Sequence, residues 1–103
     1  MKRNKHLPLT ETTYYILLAL LETNHGYAIM QEVEAMSDGE VRIAAGTMYG
    51  AIDNLLKLGW IVAVPSTDSR RKMYHITPTG KAILALETER MRKLSTLASR
   101  FDF

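Results

Sequence analysis

The sequence predicts a mainly α-helical fold with one small β-hairpin, and three observations lead there. Apolar residues recur at helical spacing over three stretches of the first sixty residues. Two short runs, Ile61 to Val64 and Lys72 to Ile76, flank a polar loop from Pro65 to Arg71 and read as a hairpin. Thr77-Pro78 then starts a long final helix, a cap followed by the one residue whose missing N–H costs nothing at the first helical position.

Taken in order, residues 1–8 are a basic tail with Lys2, Arg3 and Lys5, ending at Leu7-Pro8. Thr10 is the expected N-cap of the first helix and Glu11 complements its dipole. From Tyr14 to Leu21 this helix is apolar almost all round, so it is expected to be buried on more than one side. Asn24-His25-Gly26 should stop it. A second helix is predicted over Tyr27 to Met36, with Ile29, Met30, Val33 and Met36 on one face and Gln31, Glu32 and Glu34 pointing away. Ser37-Asp38-Gly39 breaks it, and Val41-Arg42-Ile43 reads as a short strand. The third helix is expected from about Thr47, as cap, to Gly59, with Met48, Ile52, Leu55 and Leu56 inward. The hairpin follows, then the final helix from Pro78 to about Arg100. Three helices followed by a two-stranded hairpin make a winged helix-turn-helix. Residues 9–77 would form it, and residues 78–103 would form a C-terminal dimerisation helix.

The composition is that of an ordinary globular domain, 47% hydrophobic and 23% charged over 103 residues. The net charge of +2 is too small to indicate nucleic acid by itself. Its distribution says more, because Arg70, Arg71 and Lys72 sit together at the hairpin tip while Glu32, Glu34, Asp38 and Glu40 lie elsewhere. Without cysteine there is no disulfide, thiolate metal site or cysteine nucleophile. His6, His25 and His75 lack metal-ligand spacing, so neither a metal nor a cofactor is expected and no catalytic residue is assigned. His25 reads as a helix-end residue and Trp60 as core. The methionines read as core, with an adaptable ligand pocket as the alternative. The apolar run at residues 15–21 is too short to span a bilayer, so the chain is expected to be cytoplasmic with no membrane partner.

Three groups of residues carry the functional reading. Gly46, Thr47, Tyr49, Gly50, Asn54 and Lys57 occupy the predicted outer face of the third helix. There, hydroxyls, an amide and an ammonium suit phosphates and base edges in a major groove. Against this, Thr47 also reads as a cap and Tyr49 as a packing residue. Arg70, Arg71 and Lys72 form a basic tip suited to the backbone or a narrow groove, with a solvated turn as the competing reading. In the final helix Leu84, Met91 and Ala98 repeat every seven residues with Leu94 and Phe101 interleaved. Together with Tyr14, Leu17, Leu18 and Leu21 of the first helix they suggest a homodimer seam. The alternative is that the final helix folds back on its own domain.

The stretches YYILLALLETNHGYAIMQEV, GTMYGAIDNLLKLGWI and RRKMYHITPTGKAIL, in this order over most of residues 9–86, resemble the PadR-like transcriptional regulators. The resemblance implies a winged-helix fold, homodimers joined through the first and C-terminal helices, and binding to palindromic operator DNA, usually as a repressor. It also implies that Thr47 and Tyr49 contact phosphates. A single helix after the hairpin matches the short branch of the family. Gly50 stands where proline is frequent, and Asp53 and Asn54 where basic residues are common. Some short members hold flat aromatic compounds with a tryptophan between their C-terminal helices. No tryptophan lies beyond residue 60 here, so no small-molecule effector follows from the resemblance. A winged-helix module for protein–protein contact, without sequence-specific DNA binding, is the second functional reading.

Overall fold

The structure is a computed structural model and describes residues 3–67 and 71–103. Lys2 and Arg70 lie outside the described residues. Among the described residues, four helices and three short strands follow as α1 (Glu11–Ala19), β1 (Asn24–His25), α2 (Gly26–Met36), α3 (Ala45–Leu58), β2 (Ile61–Val64), β3 (Met73–Ile76) and α4 (Pro78–Ser99). The strands form one antiparallel sheet in the order β1-β3-β2. The mainly helical winged-helix expectation holds, with a third strand added to the hairpin.

The chemistry of the helix ends explains most of the boundaries. Thr10 caps α1 through its hydroxyl, which accepts from the Thr13 N–H at 3.1 Å. Gly59 closes α3 in the left-handed conformation at φ 73°, where a Cβ would be strained. Thr77 caps α4 and also donates to the Gly59 carbonyl at 2.6 Å, so one side chain joins the end of α3 to the start of α4.

Several expectations are corrected. Asn24 and His25 do not simply end α1; they pair with Tyr74 and Met73 as β1. Val41–Ile43 is not a strand, because Ser37 uses its neighbour's backbone: its hydroxyl accepts from Val41 N–H at 2.9 Å and also lies near the Val41 carbonyl. The third helix begins at Ala45, two residues earlier than Thr47, with Ala44 at the cap and no side-chain capping bond. Thr47 therefore does not cap; it stands exposed in the first turn. The strand expected from Lys72 starts at Met73.

The core is built from Ile16, Leu17 and Leu20 of α1, Ile29 and Val33 of α2, and Met48, Ile52 and Leu55 of α3. Trp60, Ile61, Tyr74 and Ile76 close it from the sheet, and Ile83 and Leu84 from α4. Leu17 and Leu84 thus lie in this chain's own interior, Leu17 with no exposed surface and Leu84 with little, which corrects the place of Leu17 in the seam. Tyr14 and Leu18 are half-buried, and the Tyr14 hydroxyl lies 2.6 Å from that of Thr88 on α4. The first half of the final helix therefore folds back on its own domain, as the alternative reading has it. Up to Arg90 it lies on its own domain; beyond that Met91, Leu94, Leu97 and Phe101 stand exposed and Ala98 half-exposed. The projecting half lengthens the molecule to 52 Å, with a radius of gyration of 15.0 Å. A compact chain of this size would have about 13 Å.

One buried carboxylate fastens α4 to the N-terminal segment. Glu87, 1% exposed, accepts the Leu9 N–H at 2.7 Å and receives both arms of the Arg90 guanidinium. The Arg90 hydrogen bonds hold its carboxyl below the usual range; burial opposes them, and the Leu9 N–H and the charges of Arg90 and Arg3 add to them.

Candidate nucleic-acid interface

Alternation around α3 sorts its residues into two jobs. Met48, Ile52 and Leu55 point into the core, while Gly46, Thr47, Tyr49, Gly50, Asp53, Asn54 and Lys57 are exposed on the other side. Gly46, Gly50, Asp53 and Lys57 run down the middle of that face at i, i+4, i+7 and i+11. Thr47 borders it on one edge and Tyr49 on the other. A β-carbon on Gly46 or Gly50 would meet nothing within 4 Å, so the middle of the helix offers bare backbone to whatever approaches. Lys57 lies in the last turn, where it also complements the helix dipole.

The Tyr49 edge faces the sheet. Between α3, the start of α2 and β3 lies an open cleft lined by His25, Gly26, Tyr27, Tyr49, Asp53, Arg71, Lys72 and Tyr74. The helix face and the described part of the basic tip therefore meet across one concavity. Tyr49 is 50% exposed, so its ring is no core residue. Tyr74 is buried at the floor, and burial, then the neighbouring Asp53 and Tyr49, push its phenol up, so it remains a neutral hydroxyl. Among the described residues of the cleft lining, Asp53 is the one acidic side chain, and it opposes any approaching phosphate.

His25 lies where β1 becomes α2. Its Nδ1 is 3.4 Å from the Ala28 N–H, and the Arg71 guanidinium approaches its Nε2 to 3.2 Å. His25 is the helix-end residue that the sequence predicts, at the N-cap of α2; Gly26, Tyr27 and Tyr74 join the site only in the fold. Gly26 and Tyr27 reach the cleft at the start of α2, directly after the two-residue β1, which shows no alternation, and Tyr74 reaches it from β3. Among the described residues, no group of three or more His, Asp or Glu is placed to hold a metal ion, and no helix is long and apolar enough to cross a membrane.

Three core helices, a hairpin stacked against them and a solvent-facing third helix define a winged-helix protein. The family described as "Transcriptional regulator PadR-like family" matches residues 15–86, most of the chain, and the chain belongs to it, which implies DNA binding. Solved structures agree on the fold. A transcriptional regulator from Clostridium thermocellum is 24% identical at a TM-score of 0.71, covering 88% of this chain and 91% of its own. A PadR family transcription regulator from Clostridium difficile is 24% identical at 0.69, covering 88% and 98%. RosR from H. salinarum is 22% identical at 0.69, covering 94% and 96%. A comparison with curated proteins finds no match.

Proposed function

We propose that the chain is a homodimeric repressor that occupies a palindromic operator in the cytoplasm, with residues 9–77 on the DNA and α4 joining the two copies. The α3 face would enter the major groove, and the tip carrying Arg70, Arg71 and Lys72 would lie along the backbone or minor groove. The observation that carries this reading is the shared concavity, in which Tyr49 of α3 and the Arg71-Lys72 pair line one cleft. Phosphate contacts from such a pair would set register, and the α3 face would read bases. The seam is supported by Met91, Leu94 and Leu97, exposed on the projecting half of α4, with Phe101 exposed just past its end and Leu21 just past the end of α1. Winged-helix dimers of this kind must hold their recognition helices about 34–36 Å apart, or a multiple, to meet one face of the duplex.

Asp53 favours the second reading, a protein-binding module, since it places negative charge in the middle of the α3 face. Selection of genomic fragments by the purified protein separates the two. Repressor action on an operator predicts enrichment of a motif with two inverted half-sites. Fragments recovered no better than from an empty column would overturn the proposal.

A further inference from the structure

We propose that the His25-Gly26 pair at the start of α2 positions both halves of the DNA footprint: His25 holds Arg71 of the wing, and Gly26 makes room for Tyr49 of the recognition helix. The inference rests on the DNA-binding reading above and assigns the residues that set its geometry.

Hydrogen bonding ties His25 to Arg71. Pairing of β1 with β3 puts His25 opposite Met73, two residues from Arg71, so the ring is delivered to the wing by the sheet register. Both ring nitrogens then face donors, Ala28 N–H at 3.4 Å and Arg71 Nη1 at 3.2 Å. A neutral imidazole has one acceptor nitrogen, and arginine never gives up its proton. The ring therefore serves one of the two at a time, and the shorter contact is the one to Arg71. As a helix cap this is poor, since asparagine or aspartate would satisfy Ala28 better. As a holder of Arg71 it suits the task, because a neutral acceptor takes one of the five guanidinium donors and none of the charge. A guanidinium fixed beside Tyr49 and Lys72 loses less freedom when a phosphate arrives.

Gly26 acts on Tyr49 sterically. A β-carbon at Gly26 would lie 2.9 Å from both Cε1 and the hydroxyl oxygen of Tyr49. The obstacle is the end of a half-exposed side chain, which can swing into water, and not a backbone. An alanine here would therefore spare the fold and displace the Tyr49 hydroxyl from its place over the cleft. Alanine is also the better helix former, so a glycine at this helical position is a local cost that the Tyr49 contact explains.

The test uses anisotropy of a labelled mixed-sequence duplex of about 30 base pairs at low salt, a salt series, and thermal melts at fixed protein concentration. His25→Asn keeps a capping oxygen but is too short to reach Arg71. It should melt at or above the parent temperature yet bind roughly tenfold more weakly, the loss expected when a charge-assisted contact is disordered. Its plot of log affinity against log salt should flatten by up to about 0.9 per wing. In an Arg71→Ala background the same change should have no further effect. Gly26→Ala should likewise melt no lower and bind more weakly, with no further loss in a Tyr49→Ala background. Losses that add fully in both backgrounds would mean general structural damage and overturn the proposal. Parent-like binding by both single variants would overturn it too while leaving the DNA-binding reading intact. A parent protein that fails to bind the duplex at all removes that reading and this one with it.

Discussion

Replacing Glu87 with glutamine removes one charge from the junction of α4 with the N-terminal segment and almost nothing else. The carboxylate is 1% exposed and accepts the Leu9 N–H at 2.7 Å. A hydrogen bond to a charged acceptor contributes about 1.5–3 kcal/mol and one to a neutral acceptor about 0.5–1.5 kcal/mol, so losing the charge should cost about 1–2 kcal/mol at pH 7. Glutamine also carries an NH2, and whichever way the amide is turned, that group faces either the Leu9 N–H or the Arg90 fork, donor against donor. The expected drop in melting temperature is about 5–15 °C for a domain of this size, at fixed protein concentration. The pH dependence has a definite sign. The Glu87 carboxyl is held below its ordinary value, with the Arg90 hydrogen bonds the largest cause. Its contribution is therefore complete above the unfolded-state value of about 4.3 and disappears as pH falls through the lower folded-state value. Melts of parent and Glu87→Gln from pH 7 to pH 3 should show a gap that narrows below about pH 4.3. A gap of constant size over that range would refute the reasoning, because the charge would then not be what holds the junction.

Gly80→Ala should destabilise by about 1–3 kcal/mol or more in urea melts, despite alanine's helix propensity, because its β-carbon would lie 2.1 Å from the backbone carbonyl oxygen of Trp60. A neutral result would mean that α4 can withdraw from the base of the wing. Tyr49→Phe should keep the melting temperature and weaken duplex binding by about 0.5–1.5 kcal/mol, more if the hydroxyl meets a charged phosphate; unchanged affinity in a titration would assign Tyr49 to packing. Leu94→Lys should raise the dimer dissociation constant roughly tenfold or more by placing an ammonium in an apolar seam. Sedimentation of the unmodified chain as a monomer at micromolar concentration would remove the seam.

Much of the fold was legible because its boundaries are set by local chemistry. Thr10, Gly59 and Thr77-Pro78 mark helix ends in the sequence, and the structure uses all of them. The inward face of α3 followed from spacing alone. Contacts set by tertiary structure were not legible. β1 is two residues long, too short for alternation, and exists only because β3 passes beside it. Val41 and Ile43 have strand-like side chains, but the hydroxyl of Ser37 claims the Val41 backbone first. The all-apolar run of α1 correctly implied burial on several sides, yet composition could not say which surface would cover Leu17. The same holds for Leu84, which continues the heptad of Met91 and Ala98 but falls inside its own domain. Glu87 sits in that heptad stripe, between Leu84 and Met91, and its role depends on Leu9, 78 positions away in the chain.

The same distinction applies to the site. The recognition-helix face and the basic tip are contiguous in sequence and could be seen there. Their meeting across one cleft, with His25 and Gly26 between them, depends on the sheet register.

If α3 and the wing form one phosphate-contacting surface, duplex affinity must fall steeply as salt rises. If Lys57, Arg71 and Lys72 each meet a phosphate, a dimer makes six such contacts. The plot of log affinity against log salt should then have a slope of about −5 or steeper, at about 0.9 per contact. A slope near zero, or no binding to any duplex at low salt, would contradict the account.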